Sequence, residues 1–308
     1  MWEALFSPMK IILDSLKILF SNKLVFTFIL FFTILPLSTL IITQSISLHS
    51  RSIQIYYLEI LALYSSTRIE ARHVWQESRH DALSLLRTKA LFSLPIYFLS
   101  LSAAISSVHS TVSTTSPTLH SAAKSIYFNY KRPFLTSIFI YAILFVFSSV
   151  RLIFSAVSAS RFVVNTIASG IEVYLIAVLS VGLVVSIAEE RFGWDAIRVG
   201  SGLMEGRRVC GWVLSGLLVL ATRVIGLKVE ESLAAGEVEP PEFLGLTDVV
   251  AKGIGAEEKA VLIGCYGLVI LLSYVVMSVY YCECRKQHPI REAGSDDDNH
   301  HTLHSLSL

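Results

Sequence analysis

Residues 184–212 read VVSIAEERFGWDAIRVGSGLMEGRRVCGW. An apolar run stops at Glu189 and Glu190, a short polar segment follows as far as Arg207 and Arg208, and apolar character returns at once. A chain that leaves a hydrocarbon layer, lies along its surface for a few turns and re-enters it would produce this pattern. Charged side chains are expensive at the centre of a bilayer and cheap at its rim.

The composition agrees with that reading. Of 308 residues 53% are hydrophobic and 16% charged, with mean hydropathy +0.62, whereas soluble domains carry roughly a quarter charged residues. The formal net charge of +1 gives no overall attraction for nucleic acid, and none is expected as a partner. Membrane lipids are the expected partners, and no cofactor is expected.

A membrane-crossing helix needs about 20 largely apolar residues, because lipid offers nothing to an unpaired backbone group. Six segments meet the requirement, near 24–42, 90–108, 134–155, 171–188, 209–227 and 260–282. Pro36 marks a kink in the first. The expected fold is therefore all-α: a polytopic membrane bundle of about six transmembrane helices occupying residues 24–285, with interfacial amphipathic helices on the cytosolic side.

Residues 1–23 form the first of these interfacial helices. Trp2, Leu5, Phe6, Met9, Leu13, Leu16 and Phe20 recur at helical spacing, while Glu3, Lys10, Asp14, Lys17 and Lys23 break any secretory signal. The tail 286–308, rich in Asp and His, is expected to be disordered and cytosolic. Cys210, Cys265, Cys282 and Cys284 lie in or beside apolar runs, which argues against a disulfide framework.

Lys and Arg in short loops favour the cytosolic side. With six spans both termini share that side, together with Lys131, Arg132, Arg198, Arg207, Arg208 and Arg285. The opposite side receives the acidic 228–259 loop. The 43–89 loop conflicts with this assignment, because Arg51, Arg68, Arg72, Arg79, Arg87 and Lys89 would fall on the non-cytosolic side. Ile55, Leu58, Leu61 and Ala62 suggest a helix in part of it.

Three segments preceding the odd-numbered spans share a layout: SLKILFSNK from Ser15, SIYFNYKR from Ser125 and SGLMEGRR from Ser201. Each would be an interfacial helix leading into a helical hairpin, giving three repeated units. Glycines crowd the third segment, and the Gly202 to Gly206 spacing is expected to let helices approach closely.

The run from Val173 to Gly211, VYLIAVLSVGLVVSIAEERFGWDAIRVGSGLMEGRRVCG, resembles the signature region of a plant family of uncharacterised multipass membrane proteins. It is more distantly similar to the membrane domain fused to some bacterial glycerophosphodiester phosphodiesterases. The matching positions include Ser180, Ser186, Glu189, Glu190, Gly193, Ala196, Ser201, Leu203, Gly206 and Gly211. The resemblance implies a six-span helical fold and carries no activity, since the phosphodiesterase chemistry belongs to a separate soluble domain.

Several residues are candidates for chemistry. Arg151, Glu172 and Arg223 are intramembrane charges, which mark pathways in some proteins and snorkel to the surface in more. Arg151 and Glu172 are expected near the same ends of spans three and four. Arg207, Arg208, Lys131 and Arg132 are candidate lipid-headgroup contacts, each attracted by about 1 kcal/mol to an anionic surface. Cys282 and Cys284, beside Arg285 and Lys286, suit palmitoylation.

Adjacent Glu189 and Glu190 point in different directions on a helix, so helix termination or ion pairing is expected of them rather than paired-carboxylate catalysis. No catalytic or metal-ligating set is legible. The sequence contains no glycine-rich phosphate loop, nucleophile elbow or dinucleotide fingerprint.

These readings favour a non-enzymatic scaffold or interaction protein of the endoplasmic reticulum or another endomembrane. A transporter or lipid-translocating protein is the second alternative, and an intramembrane enzyme acting on lipid head groups the third.

Overall fold

The structure, a computed structural model, describes residues 2–64, 68–112, 130–157, 161–189, 191–235 and 256–287. The described residues are helical, with short turns between helices. In chain order the helices are α1 (Trp2–Ser21), α2 (Lys23–Ile29), a π-helical stretch Leu30–Ile34, α3 (Leu35–Tyr64), α4 (Arg68–Val112), α5 (Lys131–Val157), α6 (Arg161–Ala188), α7 (Gly193–Leu203), α8 (Arg208–Ala235) and α9 (Ala256–Gln287). Among the described residues six segments are long and apolar enough to cross a membrane: Lys23–Leu48, Leu83–Val112, Lys131–Arg151, Phe162–Ala188, Arg208–Val229 and Ala260–Gln287.

Pro36 explains the break in the first segment. Proline has no N–H to offer the carbonyl four residues back, and its ring crowds that carbonyl. The chain responds upstream by widening to π-helix over Leu30–Ile34, immediately before α3.

Two differences from the sequence expectation concern helix ends. The described residues of 43–89 are helical over more than the expected part: α3 continues to Tyr64 and α4 begins at Arg68. The fourth apolar helix begins at Arg161 rather than near 171. Glu172 therefore lies about 16 Å along α6, at a rise of 1.5 Å per residue, instead of at its end. The apolar stretch before Glu172, from Phe162 to Ile171, continues the same helix because one carboxylate does not interrupt backbone hydrogen bonding.

Packing divides the chain into two units. One comprises the described residues of Met1–Ile29, Ala104–Ala221 and Ile270–Leu308. Within it α5, α6 and α7 pack against one another. Val178, Leu179, Val181, Val184 and Val185 of α6 are buried, as are Ala196, Ile197 and Leu203 of α7.

Gly200 of α7 lies directly on the α6 backbone. A Cβ there would stand 2.8 Å from the Gly182 nitrogen, and a Cβ on Gly182 would stand 3.0 Å from the Ile197 Cα. Absence of side chains on both helices is what permits this crossing. The pair Gly202 and Gly206 does not bring helices together, since a Cβ on either would meet nothing within 4 Å. Gly206 instead turns the chain between α7 and α8 with φ 92°, a conformation side chains disfavour.

The second unit comprises Leu30–Ala103 and the described residues of Thr222–Val269. Here Gly267 of α9 packs on the first span, where an added Cβ would meet Ser38 Oγ at 3.3 Å and Ile34 Cγ2 at 3.4 Å.

Candidate functional site

Residues 184–212 build one compact constellation. The apolar run of α6 ends when the Glu189 N–H donates to the Val185 carbonyl at 2.8 Å. Gly193 then restarts the helix with φ 62°, and its N–H donates to Thr136 Oγ1 of α5 at 2.9 Å. Thr136 is fully buried, so this bond satisfies a helix-end donor that water cannot reach.

Glu189 gathers partners from across the chain. The Tyr281 hydroxyl of α9 donates to Glu189 Oε1 at 2.8 Å. Arg285 Nε lies 3.6 Å from the same oxygen, and Arg191 Nε lies 3.8 Å from Oε2. The carboxylate is only 17% exposed, so these contacts are less screened than surface pairs. Glu189 therefore clamps the end of α6 to the end of α9. Glu190 lies outside the described residues.

A second set of contacts ties the α7–α8 turn to α9. Tyr280, fully buried, donates its hydroxyl to the Arg207 carbonyl at 2.9 Å. Arg207 Nη1 approaches Glu283 at 3.7 Å, and Glu283 also accepts from Lys286 at 2.8 Å. Gly211 makes room for this arrangement, because a Cβ there would stand 2.7 Å from the Tyr280 hydroxyl. Cys210 donates from Sγ to Ser7 Oγ of α1 at 3.7 Å.

The short helices flanking the constellation are amphipathic in an unusual sense. In α7 the buried positions are Gly193, Ala196, Ile197, Gly200 and Leu203, while Trp194 is 61% exposed and Arg198 is exposed. In α1 Ile11 and Ser15 are buried, and Met9, Leu13 and Phe20 are exposed with Lys10 and Lys17. Both helices bury one face and also turn large apolar side chains outward next to cations.

The remaining sequence candidates fall as follows. Arg151 Nη1 donates to Glu172 Oε2 at 2.6 Å, with the two side chains 28% and 39% exposed. The candidate charges of α5 and α6 are thus brought together. Nearby, Trp212 Nε1 donates to the Gly170 carbonyl at 3.1 Å.

Arg223 belongs to the other unit, where it lines a cavity of about 200 Å³. Lys131, Arg132 and Arg208 are exposed, whereas Arg207 is half-buried by its contacts. Cys282 is half-buried, but Cys284 is 1% exposed, which leaves no room there for an acyl chain. Ser201 is half-buried on α7, and Ser125 lies outside the described residues.

Sequence reasoning missed Tyr280, Tyr281, Glu283, Thr136 and Gly182. A glycine in the middle of an apolar span and a Tyr-Tyr pair at a span's end were the available signals. Among the described residues no three His, Cys, Asp or Glu gather as a metal site would require.

The model of one protein family, described as a domain of unknown function (DUF8558), matches residues 4–292. No curated protein and no solved structure matches the chain.

Proposed function

We propose, for a chain that belongs to the DUF8558 family, a six-span integral membrane protein that acts as a non-enzymatic scaffold engaging anionic lipid through basic interfacial helices. One observation carries this reading. On α1 and α7 the large apolar side chains Met9, Leu13, Phe20 and Trp194 face outward beside Lys10, Lys17 and Arg198. That is the arrangement of helices lying in a headgroup layer, with apolar surface dipped into the acyl boundary and cations at the phosphates.

The six apolar helices supply the spans. The Lys and Arg bias of the sequence puts both termini, α1 and α7 in the cytosol. Likeness of the Val173–Gly211 run to multipass plant proteins, and more distantly to the phosphodiesterase-linked membrane domain, supports the same architecture. An endomembrane such as the endoplasmic reticulum is the location we attach to it. Lys131, Arg132 and Arg208 are the headgroup contacts, being exposed where Arg207 is engaged with Glu283. Cys282 rather than Cys284 is the palmitoylation candidate.

A scaffold is preferred to an enzyme because Glu189 is committed to Tyr281, Arg191 and Arg285. A lipid-translocating role is the second reading, favoured by the Arg151–Glu172 pair lodged in the apolar hairpin of α5 and α6.

The test uses the full chain in vesicles with Trp2, Trp75 and Trp212 replaced by Phe, so that Trp194 alone reports. Lipids brominated near the headgroup should quench its fluorescence more than lipids brominated deep in the chains, and alkaline carbonate should leave the protein in the membrane. Free quenching of Trp194 by aqueous iodide, or release into carbonate, would count against the reading. Changing Lys131, Arg132 and Arg208 together to Gln should reduce enrichment of anionic lipid around the protein at low salt and matter little at high salt.

A further inference from the structure

Arg223 lies within the candidate span Arg208–Val229, and no carboxylate among the described residues pairs with it. A guanidinium cannot lose its proton in a protein, and an unpaired charge near hydrocarbon needs a counter-charge from elsewhere.

Its surroundings give that counter-charge a shape. Along α8, Thr222, Gly226 and Val229 line one row of a cavity, and Arg223 with Leu227 lines the adjacent row. Ile41, Ile42 and Ser45 of α3 and Tyr266 of α9 complete the lining. The volume of about 200 Å³ is partly the work of Gly226, since a Cβ added there would meet nothing within 4 Å.

The walls thus divide by chemistry. One cation and three hydroxyls, those of Ser45, Thr222 and Tyr266, are set among Ile41, Ile42, Leu227 and Val229. A guanidinium fork matches two oxygens of a phosphate, and the hydroxyls of Ser45 and Tyr266 are polar groups beside it. Isoleucine and leucine walls suit the methylenes of an acyl chain, and offer nothing to a free ion.

We propose that this cavity binds the phosphate group of an anionic phospholipid, with Arg223 as the counter-charge and the α3 and α8 side chains holding the start of its acyl chains. Arg223 is itself exposed, but its place within a span and at this cavity sets it apart from Lys131, Arg132 and Arg208. It rests on the six-span reading, because only a membrane-embedded chain meets such a lipid.

Purified full-length protein in detergent is titrated with short-chain phosphatidic acid, phosphatidylcholine or inorganic phosphate, and bound lipid is counted by native mass spectrometry. The native chain is expected to prefer phosphatidic acid over phosphatidylcholine. Arg223→Gln should weaken phosphatidic acid by about tenfold, the loss expected for a charge-assisted hydrogen-bond pair, and Arg223→Lys should retain most of the binding.

Gly226→Leu fills the cavity with the charge intact and should weaken binding similarly, with helicity unchanged. The inference is overturned if both lipids bind equally, if Arg223→Gln binds as the native chain does, or if inorganic phosphate binds as tightly as phosphatidic acid and displaces it. Carbonate resistance of the same protein is scored first. Release there overturns the six-span reading, whereas resistant protein without the lipid preference overturns this inference alone.

Discussion

Glu189 shows how one carboxylate can end a helix and fasten it at once. Its N–H completes the last turn of α6 while its side chain takes a phenol and two guanidiniums. Hydrogen bonds to a charged group contribute roughly 1.5–3 kcal/mol. The arginines remain when the phenol is removed, so Tyr281→Phe is expected to cost about 1–2 kcal/mol, toward the lower end of that range. Unfolding in mixed micelles, followed by helicity, measures it. A double-mutant cycle with Glu189→Gln isolates the contact, and a coupling energy indistinguishable from zero would remove the clamp from the account.

The role of Glu189 as a terminator was legible, because an apolar run stopping on two carboxylates has few other meanings. Its partner was not. Tyr281 lies 92 residues away, and no periodicity in either helix specifies which end of α9 meets which end of α6. The same reason hid Thr136, a buried hydroxyl 57 residues from the Gly193 N–H it accepts.

At the scale of elements the informative contrast is between two glycines on α7. Gly200 touches the α6 backbone at Gly182, and Gly202, two residues on, faces open space. Gly200→Ala must push two helix axes apart, since the atoms met are backbone and have no rotamer to escape into. Overpacking of this kind costs about 1–3 kcal/mol. Gly202→Ala meets nothing and gains helix propensity, so it should be neutral or stabilising by up to about 1 kcal/mol. The same micelle unfolding experiment compares them, and equal destabilisation by both would sink the crossing described here.

Motif spacing drew attention to Gly202 and Gly206, yet spacing alone does not tell which face of a short helix is inward. The inward face follows from Ala196, Ile197 and Leu203, which share the side of Gly200. Helix lengths were under-read for a related reason. A search for apolar runs finds the part that suits hydrocarbon, but α3 and α4 continue through charged residues that are good helix formers, such as Glu70, Arg72 and Arg79.

At the scale of the molecule, the six apolar helices and their order were legible because hydrocarbon length imposes a period that no other feature of the chain imitates. Which way they run is a separate question, since nothing in a helix bundle alone distinguishes one side of a bilayer from the other. The orientation proposed here rests on charge. An even number of crossings returns the chain to its starting side, which would assign the basic residues of α7, of the start of α5 and of the end of α9 to the side of the bilayer opposite the acidic segment between α8 and α9.

The arginines between residues 43 and 89 oppose that assignment. The prediction is direct because none of the four asparagines, Asn22, Asn129, Asn165 and Asn299, heads an Asn-X-Ser/Thr glycosylation acceptor. An acceptor introduced between residues 236 and 255 should be glycosylated in microsomes, and one appended after Leu308 should not. Modification of the appended acceptor alone would reverse the orientation. Modification of both would put the two acceptors on the same side, so an even number of crossings would separate them and α9, the one candidate span after residue 255 among the described residues, would not cross. Modification of neither would put both acceptors in the cytosol, and α9 would again not cross.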